Sequence, residues 1–201
     1  MLALLGALAG CSVLQPSAKV SYYQMDYPAP SMLPATPPLN TVLGLRRFGI
    51  ATLYDHDRLV QRGKYLQTTQ SYYHRWAANP RMMLSDLLLR DLQATGNYQA
   101  VVLAPSTVAM DYEISGFVRE IAQDDSGAKP SVKLALEISL LRGAEQKGRS
   151  RIVFQKPYTA EIPCPDRSAA GVAKAMSAAF QDISAKIRQD LYEAIASSPN
   201  P

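Results

Sequence analysis

A chain of 201 residues, 47% apolar and 19% charged, is long enough for one packed domain with a substantial core. Its formal net charge of +4 comes from scattered Lys and Arg. No block of five like charges occurs, so the sequence gives no support to a nucleic-acid-binding surface.

Residues 1–10 carry no charge, and the run is far shorter than the roughly 20 apolar residues of a spanning helix. Its length and small residues suit the apolar region and cleavage site of a secretory signal. Leu8-Ala9-Gly10-Cys11 resembles a lipobox. Small side chains at 9 and 10 let a signal peptidase close on the backbone, and the thiolate at 11 is the nucleophile that takes a diacylglycerol. Cys11 is therefore the expected lipid-attachment site; the alternative is a buried apolar segment with an incidental cysteine. A signal ordinarily opens on Lys or Arg, and Leu2 follows Met1 directly, which points to a translation start upstream. Ser12, standing where an Asp resembles an inner-membrane retention signal, favours the outer membrane, with the domain in the periplasm.

Six prolines fall in residues 12–40, which favours extended, polyproline-like backbone. This reads as a short tether followed by an edge strand near 20–26, where Tyr22, Tyr23, Met25 and Tyr27 cluster. Val42 to Leu53 reads as a strand with Leu45, Ile50 and Leu53 in the core. Asp55-His56-Asp57 reads as a turn, Leu59-Val60 and Tyr65 to Trp76 as strands with alternate residues on opposite faces. Asn79-Pro80 opens a helix: Asn caps free amides and Pro fits the first helical position. Met83, Leu84, Leu87, Leu88 and Leu92 form its apolar stripe, and Gly96 is a natural stop.

Tyr98 to Leu103 is the next expected strand, followed by Met110 to Ile121, Ser131 to Leu141 and Arg151 to Ile162. In the second of these three, Val132, Leu134, Leu136, Ile138 and Leu140 alternate with polar residues, the mark of an antiparallel sheet with one buried face. Asp124 to Gly127 and Gly143 to Gly148 read as turns. Pro157 has no amide proton and belongs on an edge or bulge. The chain closes on a long helix, Arg167 to Ala196, with Asp166 as the expected cap. Its stripe is Val172, Met176, Ala179, Phe180, Ile183, Ile187 and Leu191. The fold class is α+β: a mostly antiparallel sheet with two amphipathic helices packed on one face, a two-layer sandwich. The expected organisation is a signal at 1–10, a lipid anchor and Pro-rich tether at 11–40, a globular domain at 41–197 and a frayed tail at 198–201.

Catalytic groups are sparse. Asp55-His56-Asp57 is the one compact acid/base cluster, and neighbours in sequence usually diverge, so a solvated turn is favoured over a metal site. His74 reads as a surface or packed histidine. HExxH, P-loop, GxSxG and CxxC motifs are absent from the sequence. With Cys11 acylated, Cys164 has no disulfide partner; it lies between Pro163 and Pro165, without a nearby His, and reads as structural. The aromatic group Tyr65, Tyr72, Tyr73 and Trp76 is ambiguous. Amphipathic aromatics favour interfaces and membrane surfaces, but core and strand packing is the preferred reading.

The run Tyr72-Tyr73-His74-Arg75-Trp76-Ala77-Ala78-Asn79-Pro80, followed by Met83-Leu84, Leu87-Leu88, Leu92, Gly96, Tyr98 and Val101-Val102, resembles the ABC-type transport auxiliary lipoprotein family (PqiC- and YmbA-like proteins). Asp57-Arg58-Leu59-Val60, Arg62 and Tyr65 are similar to its preceding segment. Asn79 departs from the pattern, where another proline is common. The resemblance implies a non-enzymatic accessory of an ABC transporter that includes an MCE-domain protein and moves phospholipid or other hydrophobic molecules between inner and outer membranes. It implies no catalytic residues, cofactor or metal, and carries over only the acylated cysteine, here Cys11. The expected partners are the MCE-domain protein and the membrane, through the N-terminal lipid; a homo-oligomer stays open. The alternative is an envelope lipoprotein that binds lipid independently.

Overall fold

A computed structural model describes residues 19–31, 38–145 and 149–198. The strands are β1 (Ser21–Tyr23), β2 (Leu39–Arg46), β3 (Gly49–Ile50), β4 (Arg58–Arg62), β5 (Thr68–Trp76), β6 (Tyr98–Ala104), β7 (Tyr112–Asp124), β8 (Ser131–Glu145) and β9 (Arg149–Pro163). The helices are α1 (Pro80–Thr95) and α2 (Ala169–Ala196). Among the described residues these form one nine-stranded sheet with both helices against it, an α+β fold.

The sheet is built around β7. One edge of β7 pairs with β8, and β8 with β9, as two long antiparallel ladders. The other edge receives three strands in succession, all parallel: β2 at Tyr112 to Ile114, β3 at Phe117 to Val118, and β4 at Gln123 to Asp124. Two wings spread from that edge. Parallel β6 lies outside β2, while β5 lies antiparallel outside β4, with parallel β1 beyond it. The sheet is thus mixed. Its long ladders carry the antiparallel character read from the sequence, whereas the short parallel pairings bring together segments distant in the chain.

The buried face follows the expected alternation. Val132, Leu134, Leu136, Ile138 and Leu140 are all buried, beneath the stripe of α2 from Val172 to Leu191. Glu137 pairs with Arg119 across the opposite face. At Gly116 the Phe48 ring lies so close that an added Cβ would sit 2.5 Å from it, so glycine lets Phe48 enter the core.

Both helix starts are satisfied by side chains. Asn79 Oδ1 accepts from the Arg81 amide at 3.1 Å, Pro80 follows it, and Gly96 closes α1 at φ 66°. At α2 the cap is Ser168 rather than Asp166, and the helix begins at Ala169 rather than Arg167. Ser168 Oγ accepts from the Gly171 amide at 3.0 Å. Asp166 instead accepts from the Ser168 amide at 2.7 Å, so the expected cap supports the actual one.

The Val42 to Leu53 expectation also needs correction. β2 ends at Arg46, only Gly49–Ile50 rejoins the sheet, and Thr52–Tyr54 is a short 3-10 turn. That turn exposes Leu53 and buries Tyr54, while Phe48 fills the core. Likewise β5 begins at Thr68, leaving Tyr65 in a turn.

Residues 25–27 cross the helical layer as a strap. Met25 and Tyr27 are buried. The Asp26 amide donates to Ser177 Oγ of α2 at 3.1 Å. Tyr27 Oη and Ser184 Oγ each donate to Asp91 Oδ2 at 2.6 Å, while Arg90 donates to the other carboxylate oxygen. Arg90 also donates to the Tyr27 carbonyl at 2.9 Å and lies 4.6 Å above the Tyr27 ring. Burial, then the Asp91 carboxylate, pushes the Tyr27 phenol well above its ordinary pKa, so it remains a donor. Through Asp91 the strap joins α1 to α2 and ties the chain that follows β1 to both helices.

Candidate functional site

The wing formed by β4, β5 and β1 departs most from regular structure. Arg58 faces Arg75 and Val60 faces Gln70, so two steps along β4 correspond to five along β5. The three extra residues form a large bulge. The His74 amide donates back to Ser71 Oγ at 3.0 Å, and Arg75 Nε donates to the Tyr72 carbonyl at 3.3 Å. Tyr72 and Tyr73, expected on opposite faces of a regular strand, instead meet edge to face, 5.0 Å between centroids.

The bulge turns these rings outward. Tyr72 is 61% exposed and Tyr73 45%, while Trp76, three residues on, is 3% exposed. The aromatic group read from the sequence therefore divides: Trp76 is core, and the tyrosines are surface. Tyr22 on the adjoining β1 is 63% exposed. Tyr65 is 97% exposed at φ 57°, ψ 37°, in the turn closed by the Gly63 amide donating to the Gln67 carbonyl. A left-handed backbone is costly for a bulky side chain. Here it holds a tyrosine almost free of the protein.

Beside the bulge lies an open cleft of about 550 Å³ between this wing and the start of α2. Tyr23, Gln61, Gln70, His74, Gln123 and Asp125 are among its lining residues. Tyr23 Oη and His74 Nδ1 are 3.4 Å apart. The lining offers hydrogen-bonding groups, and its carboxylate is engaged, since Asp125 accepts from Gln61 and Gln123.

The other sequence candidates have structural partners. Asp55 accepts from Asn79 Nδ2 at 2.8 Å, His56 Nδ1 accepts from the Arg58 amide at 3.1 Å, and Asp57 pairs with Arg75 at 3.2 Å. The three side chains thus serve three different contacts. Among the described residues no group of three or more His, Cys, Asp or Glu is placed to hold a metal ion. Cys164 is half-buried and burial pushes its thiol pKa up, which makes it a poor nucleophile. Asp124, read as part of a turn, pairs with Lys133. Cys11 lies outside the described residues. Sequence reasoning missed the bulge and the strap; the run of four polar or aromatic residues from Ser71 to His74, with no apolar alternation, was the available signal for the bulge.

Residues 23–188 match a family model described as ABC-type transport auxiliary lipoprotein component. The chain belongs to that family. Its members are transport-associated lipoproteins, so the chain is membrane-anchored, faces the periplasm and works with an ABC-type transporter. The family is not a known enzyme family.

Solved structures agree on the fold. A Xanthomonas campestris protein is similar at TM-score 0.77 and 22% identity, covering 87% of this chain and 96% of that one. An uncharacterized protein is similar at TM-score 0.65 and 18% identity, covering 86% and 99%. A hypothetical protein from Chlamydia trachomatis is similar at TM-score 0.54 and 10% identity, covering 80% and 100%. No curated protein matches the chain.

Proposed function

We propose that this family member is an outer-membrane lipoprotein, acylated on Cys11, that docks onto the MCE-domain protein of an ABC system moving phospholipid or other hydrophobic molecules between the two membranes. The observation that carries this reading is the family match over residues 23–188, which takes in all but the outer parts of the folded domain. Leu8-Ala9-Gly10-Cys11 supplies the acylation motif, and Ser12 favours the outer membrane. Residues 1–10 would be removed, and those between Cys11 and β1 would join the lipid to the domain.

The role is docking rather than catalysis. The polar candidates described above are occupied in turns, caps and ion pairs, and the face of the sheet away from the helices is left to partners.

Affinity purification of the native lipidated protein, with mass spectrometry of partners and bound lipid, tests the proposal. An MCE-domain protein should co-purify. Recovery of stoichiometric lipid without any transporter component would replace docking with independent lipid binding. Cys11→Ala should leave the protein unprocessed or release it from the membrane; normal processing and retention would remove Cys11 as the anchor. Separation of inner and outer membranes checks the address.

A further inference from the structure

The exposed tyrosines, the chain's entry point and several cations share one end of the sheet. β1 runs parallel to β5 with Ser21 opposite His74, so the chain before Ser21 runs back toward Tyr73 and Tyr72. The turn bearing Tyr65 precedes β5 and lies at that same end. Since β4 and β7 are parallel there, the β7–β8 turn joins them, as does the start of α2, which follows the end of β9. Exposed Lys19, Lys64, Lys129 and Arg167 lie in the segments at this end. The carboxylates at this end are engaged locally: Asp124 pairs with Lys133, Glu161 accepts from Ser131 Oγ, and Asp125 and Asp166 take hydrogen bonds from their own neighbourhood.

We infer that this end of the sheet rests on the membrane that holds the anchor, with Tyr65, Tyr72 and Tyr73 in the lipid headgroup layer. The inference rests on the acylation of Cys11. From Cys11 to Ser21 is ten residue steps, a reach of at most about 35 Å even when fully extended. The acyl chains are thus tied to the edge strand beside the aromatic bulge, and the chain leaves that strand on the tyrosine side. Tyrosine suits the boundary between headgroups and acyl chains, because its ring is apolar and its hydroxyl stays wet. The lysines and arginine at this end complement anionic lipid headgroups. The opposite end of the thirteen-residue β7 lies about 40 Å off at the usual strand rise. Val108 is exposed at that far end and marks the surface turned toward the periplasm.

Lipidated full-length protein in vesicles of phosphatidylethanolamine and phosphatidylglycerol tests the orientation. Tryptophan replaces one exposed residue at a time: Tyr65→Trp, Tyr73→Trp and Val108→Trp. The parent, whose only tryptophan is the buried Trp76, supplies the background. Phospholipids brominated on their acyl chains should cause a loss of emission from the tryptophans at 65 and 73, and none beyond background at 108. Equal emission at all three positions overturns the inference. So does protection of position 73 from aqueous acrylamide without quenching by brominated lipid, which would mean a protein partner or second copy covers it. Flotation separates this failure from that of the anchor. Protein that floats without quenching refutes the orientation alone, while protein that does not float brings down the acylation of Cys11 as well.

Discussion

β8 and β5 are long strands of one sheet, yet they do opposite work. β8 has β7 on one side and β9 on the other, and five of its side chains are essentially fully buried. β5 has β4 on one side, only the three-residue β1 on the other, and buries Trp76 alone. A strand whose one face is covered by a helix is held in register, because a slip by one residue would carry every apolar side chain to the wrong face. β5 has little such penalty to obey, so it can bulge and present rings. The difference teaches that the β7–β8–β9 half builds the domain, while the β4–β5–β1 wing is available to what lies outside it.

The comparison breaks most visibly at the core. Leu136→Ala on β8 should lower the unfolding free energy by about 2–5 kcal/mol, measured by urea denaturation, because it leaves a cavity beneath the helices. Tyr72→Ser and Tyr73→Ser together should change it by no more than about 0.5 kcal/mol each. A large loss from the tyrosine pair would mean that the bulge belongs to the core after all.

Asp91→Ala attacks the link between the halves. It strips the acceptor from Tyr27, Ser184 and Arg90 at a site 1% exposed, so about 3 kcal/mol should be lost. Because residues 25–27 lead directly from β1, amide exchange in β1 and the adjoining edge of β5 should quicken more than in β8. Uniform quickening would show that the strap does not hold the wing in place.

Asp124 sits where the halves meet, opposite Arg62 of β4 and Ser131 of β8. The hydrogen bond from Lys133, then those from Ser126, hold its carboxyl well below the ordinary range. A depressed folded pKa contributes stability above the unfolded value of about 3.9, and that stability is lost as pH falls through the folded value. The urea midpoint should therefore fall from about pH 4 downward, and Asp124→Asn should lower the neutral midpoint and flatten that decline. Asp166, held down by its Ser168 hydrogen bonds, keeps part of the slope in the variant. An unchanged slope would show that the joint between the halves is not built on this carboxylate.

The two regions also differ in how legible they were. The apolar alternation of β8 and the stripes of α1 and α2 are periodic signals that burial produces directly, and the structure places every residue of those sets except Met83 in the buried core. The Asn79 cap and Gly96 stop are local chemistry and were equally readable. Leu53 and Asp166 misled because each is the right residue type one or two positions from where the backbone needed it. The parallel pairings of β2, β3 and β4 with β7 join segments far apart in sequence, and no local pattern announces them. The strap depends on Asp91, a charged residue whose burial only its partners from other elements make tolerable. For the candidate surface, residue types identified the tyrosines, but only the bulge decided which of them face out.

Tyr65 offers the smallest effect and the most discriminating one. At φ 57° a non-glycine residue carries a backbone cost of roughly 1 kcal/mol, which glycine removes. Glycine also frees the unfolded chain, which offsets up to about 1 kcal/mol of that gain. Tyr65→Gly should therefore leave thermal stability unchanged or raise it by less than about 1 kcal/mol, while removing the most exposed ring from the wing. If it destabilises the soluble protein, the ring contributes contacts within the fold and the division between a building half and a presenting wing fails at its sharpest point. If stability holds, the strained turn is retained for what the tyrosine meets outside the domain, because the fold itself gains nothing from keeping it.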